Sequence, residues 1–293
     1  MKLQQINKLR PGRLRALTGM TLKALGELLT TTLPELVRRR EHAKQRRTRQ
    51  RAIGGGAKRN LSAAQEVLLV LVYLRHNVAH EVVAQLFGVS ADTSENLFHE
   101  IVPLLRELFP ANRLEAEQRF RRDGASLDVQ EIDRILIDSF ETAVARPSLN
   151  DRQKRVYSGK KKRHTLKTQV VTDATGEVLA VDGGHRGPMA DKKLYEASAV
   201  AEQFPHAIKQ ADLGYLGTAG VETPHRTPPG GELTEQQREA NRQLASVRVH
   251  VEHRIRRLKG FRIVRDNYRH ALGLFPMVVA AVAGLTHLNR IFV

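Results

Sequence analysis

No cysteine occurs in the 293-residue chain, which excludes a disulfide scaffold and any thiolate zinc site and fits a reducing compartment. Acids are scarce beside bases: 31 Asp or Glu against 48 Lys or Arg leave a net charge of +17. A surplus of that size, with a pI near 10.6, argues for a polyanionic partner, nucleic acid first among them. The first fifteen residues lack the apolar core of a signal peptide, being studded with Lys2, Lys8, Arg10, Arg13 and Arg15, so no secretory leader is expected. Long apolar runs are missing too, with one exception. Ala271 to Asn289 carries no charge, yet it contains Gly273, Pro276, Gly284, Thr286 and His287, and a buried helix that closes a domain is expected there in preference to a membrane span.

What is present divides the chain. Residues 1–60 hold sixteen Lys or Arg against three Glu, most densely between Arg38 and Arg51, and read as a basic N-terminal arm and linker, the dense run being either a solvated basic helix or disordered arm, or a DNA contact. As a DNA contact such an arm would add affinity through phosphate neutralisation and no sequence discrimination. Gly54-Gly55-Gly56 reads as a hinge. Residues 61–110 read as a small all-α domain. Ser62 and Gln65 make a capping box, a second helix spans about His80 to Phe87, and a third runs from Ala91 to about Leu108. The Gly88 corner with Val83, Phe87, Val89 and Leu97 around it suits a helix-turn-helix whose third helix reads DNA, an ordinary three-helix packing module being the alternative. Against base reading stand Glu95 and Glu100, poor phosphate ligands, and Ser94, placed where such turns usually bury an apolar residue.

The second domain is expected over residues 128–293. Ile132 to Asp138 is a β-rich run with the apolar density of a strand buried on both faces, placing Asp138 at a strand end. A carboxylate held there suits Mg²⁺, which demands oxygen ligands in tight geometry. Asp212, where Ala207 to Ala211 runs into Asp-x-Gly, is expected at a second strand end. Glu252 lies in a helical pattern from about Glu235 to Lys259, whose apolar stripe is Leu244, Val247, Val251, Ile255 and Leu258. Beside that stripe run Arg248, Glu252, Arg256 and Lys259. Asp133, Asp173, Asp182 and Asp191 are the rival ligands, Asp191 being read as the cap of a helix from Lys192 to about Gln203.

Between Arg152 and Lys167 stand eight Lys or Arg and no acid, with Lys160, Lys161, Lys162 and Arg163 on an expected turn that would clamp a phosphate backbone, or form a solvated hairpin tip. Thr165 to Val181 reads as a hairpin. Strand, hairpin, helix, strand, helix, with carboxylates on both strands and the late helix, is the order of an RNase H-like α/β fold with a mixed sheet.

Asp138-Ser-Phe-Glu141, Arg146-Pro147, Gln153, Tyr157-Ser-Gly-Lys-Lys-Lys-Arg-His164, Lys167-Thr-Gln169, Gly187-Pro-Met-Ala-Asp191, Asp212-Leu-Gly-Tyr215 and Arg248-x3-Glu252-x6-Lys259 together resemble the DDE transposases of bacterial insertion sequences, in the insertion-sequence-five group. The resemblance runs from about Leu61 to Leu258. Ser139 departs from it, replacing a glycine, and so does Ala245, replacing a tyrosine that related groups carry. It implies that Asp138, Asp212 and Glu252 are the catalytic and metal-ligating triad. Two Mg²⁺ ions, for which Mn²⁺ can substitute, would serve cleavage of transposon ends and joining of the 3′-OH to target DNA. Lys160 to Arg163, Arg248 and Lys259 would contact DNA. The expected partners are double-stranded DNA and a second copy, as a homodimer or larger synaptic assembly, in the cytoplasm. A domesticated or inactive copy that only binds DNA is the alternative.

Overall fold

The computed structural model describes residues 10–46, 59–120 and 132–292. The Gly54–Gly56 hinge, part of the basic run and the start of the expected second domain lie outside them. The head begins with α1 (Pro11–Thr18) and α2 (Leu22–Arg46), followed by α3 (Ala63–His76), α4 (His80–Phe87), α5 (Ala91–Leu108) and α6 (Arg113–Phe120).

Much of the expected basic arm is therefore two helices with a buried side. Leu14, Met20, Ala24, Leu25, Leu28 and Leu36 enter the core, because apolar residues recur at helical spacing among the charges. Several cations of the run hold the head together. Arg40 reaches Glu66 at 2.6 Å and Glu100 at 2.6 Å, and Arg59 reaches Glu66 at 2.8 Å, so two guanidinium groups neutralise a buried carboxylate.

The helix-turn-helix forms as read. Ser62 and Gln65 close the capping box, Gly88 turns the corner with a left-handed φ of 72°, and Ser90 caps α5. Ser94 is fully buried, and its hydroxyl lies 2.9 Å from His80 Nδ1, which is how a polar residue fits that corner.

The remaining elements are β1 (Arg134–Ala143), α7 (Asn150–Val156), β2 (Tyr157–Ser158), β3 (Arg163–Asp173), β4 (Val178–Arg186), α8 (Asp191–Glu196), α9 (Val200–Gln203), β5 (Ile208–Ala211), β6 (Val221–Glu222), α10 (Glu235–Leu258), α11 (Arg262–Arg265) and α12 (Phe275–Ile291). They confirm the RNase H-like α/β reading. β1 is central, antiparallel to β3 on one side and parallel to β5 on the other; β4 and β2 flank β3, and β6 extends the sheet beyond β5.

Two expectations about single elements change. The helix expected from Lys192 to Gln203 is broken into α8 and α9. Asp138 is not at a strand end: β1 continues to Ala143, because β3 pairs with it as far as Thr165 opposite Ala143 and satisfies its backbone.

Alternation along β1 sorts its side chains. Ile135 and Ile137 belong to a core with Val171, Tyr195, Phe204, Ala211 and Tyr215, on the side of α8 and α9. Leu136 and Phe140 point the other way, into a larger core with Val251, Ile255 and Leu258 of α10 and with α12. That larger core also contains Leu28 of α2, Leu69 and Leu71 of α3, and Phe98, Ile101 and Leu105 of α5, so helical head and sheet share one apolar interior. With the preceding turn, α12 is long and apolar enough to cross a membrane by length and composition. Here its Phe275, Val278, Val282 and Leu285 are fully buried between the sheet and α5, which agrees with the expected closing helix.

Candidate active site

The sheet register sets the first two carboxylates side by side. Ile137 pairs with Ala211 in the parallel β1–β5 ladder, and both face the α8 side, so the next residues, Asp138 and Asp212, turn toward α10. Adjacent strands lie about 4.8 Å apart, which brings the two backbones into reach of one ligand. Asp138 is thus placed by the end of the parallel pairing, not by the end of its strand. Asp212 has extended backbone and accepts from the Gly214 amide at 2.9 Å, opening a single turn of 3₁₀ helix.

The third carboxylate comes from α10. Its buried stripe is Leu244, Val251, Ile255 and Leu258, with Val247 half-buried, as the periodicity predicts. Arg248 and Glu252 therefore lie along the edge of that contact. The Arg248 guanidinium reaches Asp138 at 3.8 Å and Glu252 at 3.9 Å, bridging sheet and helix acids. Among the described residues no group of three His, Asp or Glu stands close enough to hold a metal ion as it is. Arg248 stands as counter-ion to two of the three acids.

The electrostatics mark Asp138 out. Burial pushes its carboxyl up to about 6; the Ser139 amide and Arg248 oppose the rise, and the charges of Asp212 and Glu252 add to it. Lys259, 4.9 Å from the centre of the Phe140 ring, has its ammonium pushed down by burial, with Asp138 acting in the opposite direction and Lys161 in the same one.

An open cleft of about 370 Å³ gathers Asp138, Asp212, Glu141, Lys160, Lys161, Lys259 and Asp191. The basic turn thus divides: Lys160 and Lys161 line the cleft, whereas Lys162, held at a left-handed φ of 50°, and Arg163 are exposed and do not.

The rival aspartates also separate. Asp173 accepts from the Thr175 and Glu177 amides and closes the β3–β4 turn, Asp182 pairs with His185 at 2.8 Å, and Asp133 is exposed ahead of β1. Asp191 is different. It makes no side-chain cap on α8; its Oδ1 accepts from Ser139 Oγ at 2.5 Å and from Lys167 Nζ at 2.9 Å, and Lys167 also donates to the Met189 carbonyl at 2.5 Å. A Cβ on Gly214 would come within 2.7 Å of Asp191 and 2.9 Å of Asp212, so a glycine is what lets these two acids crowd one turn. The reading from sequence passed over the Ser139–Asp191–Lys167 group as a unit. Its available signal was Lys167, a lysine in a strand that is otherwise apolar and β-branched.

Titration gives a test of this geometry. Because the folded chain binds a proton on Asp138 more tightly than an ordinary aspartate does, its charge lowers stability as pH rises from about 4 to about 6, and the full cost stands above that. Asp138→Asn is therefore expected to stabilise the metal-free chain at pH 8 by at most about 3 kcal/mol, an advantage that vanishes below pH 4. Denaturant midpoints of both proteins in chelator across that range would show it. A variant less stable at pH 8 would contradict the buried, crowded carboxylate.

The sequence pattern of the family described as DDE superfamily endonuclease matches residues 137–287, which contain all three carboxylates. That described as helix-turn-helix of DDE superfamily endonuclease matches residues 59–111. Among curated proteins, one named as a transposase for insertion sequence element IS702 of Microchaete diplosiphon is 36% identical over 157 residues, 52% of this chain and 55% of the relative. The match thus spans about half the length of that relative. Another, named as a transposase for insertion sequence element IS112 of Streptomyces albus G, is 29% identical over 258 residues, 87% of each chain. No solved structure matches. One family pattern lies on the carboxylate-bearing sheet across half of the chain and its companion on the helical head, and the chain belongs to the DDE superfamily endonucleases, among the insertion-sequence transposases with an N-terminal helix-turn-helix.

Proposed function

We propose that this protein is a DNA transposase that cleaves the ends of its own element and joins the freed 3′-OH to target DNA by metal-dependent phosphoryl transfer. The observation that carries the reading is the pairing of Asp138 and Asp212 at the first positions beyond the Ile137–Ala211 pair, facing the helix that carries Glu252. In donor chemistry the residues fit Mg²⁺: all three are hard oxygen ligands, and the burial that raises Asp138, with the smaller effect of the charges of Asp212 and Glu252, is what a divalent cation would offset. Asp138, Asp212 and Glu252 would hold two Mg²⁺ ions, or Mn²⁺ in their place, and bound metal would supply Lewis-acid stabilisation of in-line displacement at phosphorus.

The other side chains act on the substrate. Lys160, Lys161 and Lys259 neutralise the phosphate backbone along the cleft, and Arg248 turns from its two carboxylates to the entering phosphate. In the first step a water oxygen bonds to phosphorus at the element end and the 3′ oxygen leaves. In the second, that 3′-OH bonds to a target phosphorus and a target 3′ oxygen leaves. Each step makes one P–O bond and breaks one, so neither a covalent enzyme intermediate nor an energy source is required. Two ends must meet, so the working form is a homodimer or larger on double-stranded DNA.

The experiment is incubation of the full chain with supercoiled plasmid carrying the DNA that flanks its gene. Nicks with 3′-OH ends at the element termini, formed in Mg²⁺ or Mn²⁺ and abolished by chelator, are the expected result. Tight binding to those termini without nicking in either metal would replace this reading with that of a domesticated, binding-only protein.

A further inference from the structure

The helix expected to read DNA is poor in positive charge. The exposed start of α5 offers Asp92, Glu95 and Asn96, and Arg106 near its end is taken by Glu115 at 2.5 Å. Cations without an acid stand elsewhere, at the seam between the head and the end of α10.

A second cavity, about 390 Å³, is lined there by Arg15 of α1, Arg75 of α3, Arg257 of α10 and Arg290 of α12, with Thr286 and Phe261, and no acid lines it. Arg290 is paired with Glu177, and nearby Arg262 and Arg265 share Asp266. Arg15, Arg75 and Arg257 have no ion-pair partner among the described residues. Arg75 is half-buried, with its guanidinium 5.7 Å from the centre of the Phe261 ring. One nitrogen donates to the Gly260 carbonyl, just beyond the C-cap of α10, and leaves the rest of the guanidinium fork for another acceptor. A Cβ on Gly260 would lie 2.8 Å from that nitrogen, so the backbone here is shaped to admit the guanidinium. Burial, and after it the neighbouring cations Arg15, Arg262 and Arg265, push Arg75 down from its usual value.

We propose that this arginine pocket binds a phosphate group, supplied by the DNA backbone. Arginine forks match phosphate oxygens, and a cavity of this size takes a phosphodiester together with adjoining sugar. The last turn of α10 is then a wall with a phosphate site on either side: Lys259 faces the carboxylate cleft, and Arg257 and Gly260 face the pocket. The DNA source rests on the proposed function; the phosphate chemistry does not.

The test uses the full chain with its carboxylates intact, in metal-free buffer, so that its outcome is independent of cleavage. Arg15→Gln with Arg257→Gln alters two exposed side chains, and Arg226→Gln with Arg242→Gln removes the same charge away from the pocket. Affinity for a short duplex is measured between about 50 and 200 mM salt. The pocket variant is expected to lose about tenfold in affinity and to have a log–log salt slope shallower than the control variant's by about 0.9, one phosphate contact. Thermal unfolding in inorganic phosphate, against chloride at equal ionic strength, forms the second arm. If the slopes agree but only the pocket variant loses a phosphate-induced rise in Tm, the site takes free phosphate and the DNA source is refuted. If both variants match in both arms, the pocket is not a phosphate site.

Discussion

Asp138→Asn is expected to leave duplex binding unchanged and to lower metal-dependent strand cleavage by about 10³-fold, the rate equivalent of roughly 4 kcal/mol of lost charge stabilisation at phosphorus. The amide is nearly isosteric and stays in a strand held on both sides, by Val170 of β3 opposite it and by β5 up to the preceding residue. What it loses is the anionic oxygen that faces Arg248 and that would ligate metal. Because the same change relieves a buried charge, the inactive variant should be more stable than the parent at pH 8, and that combination separates a lost ligand from a damaged fold. The measurement is single-turnover nicking of end-bearing plasmid in saturating Mn²⁺, beside duplex affinity in chelator. Cleavage within a few-fold of the parent would remove Asp138 from the chemistry and, with it, the reading of the site.

A larger effect on stability is expected from cutting the chain between residues 120 and 132. The helical head looks like a separate DNA-binding module in sequence, yet α12 packs on α5 with Phe275, Val278, Val282 and Leu285 fully buried. At about 1.5–3 kcal/mol for each buried side chain, four such residues represent roughly 6–12 kcal/mol, comparable to the whole net stability of about 5–15 kcal/mol for a domain. Polar ties cross the same seam. Tyr73 Oη lies 2.7 Å from His270 Nε2, Asn77 donates to the Asn267 carbonyl at 3.1 Å, and the Thr21 amide donates to Asn289 at 2.9 Å. A fragment ending at residue 120 should therefore lack a cooperative thermal transition and expose apolar surface to a hydrophobic dye, while the full chain unfolds as one unit. A sharp transition and duplex binding by the fragment alone would show that the head folds without α12.

Legibility differed by the range over which each feature is set. The capping box at Ser62, the Gly88 corner and the stripe of α10 from Leu244 to Leu258 depend on neighbours within a turn or two, so periodicity found them. The extent of β1 did not show itself, because Phe140 to Ala143 are strand by virtue of their pairing with β3, not of their own apolarity. The basic run misled for a related reason. Charge counting sees Arg38 to Arg40 as a solvated stretch, and only packing reveals that Arg40 stands beside the buried Glu66.

By itself the sequence determined the ingredients: a basic chain, two strand-borne aspartates, a glutamate one helical turn from an arginine, and a helix-turn-helix ahead of them. Tertiary structure decided which of these meet. The parallel register sets Asp138 beside Asp212, the edge of α10 lays Arg248 between two acids, Ser139 turns Asp191 into a member of the cleft, and α12 joins the head to the sheet. The reason is that strand register and helix docking are chosen by burial summed over distant segments, and a shift of one residue in β5 would turn Asp212 to the opposite face without altering any local pattern.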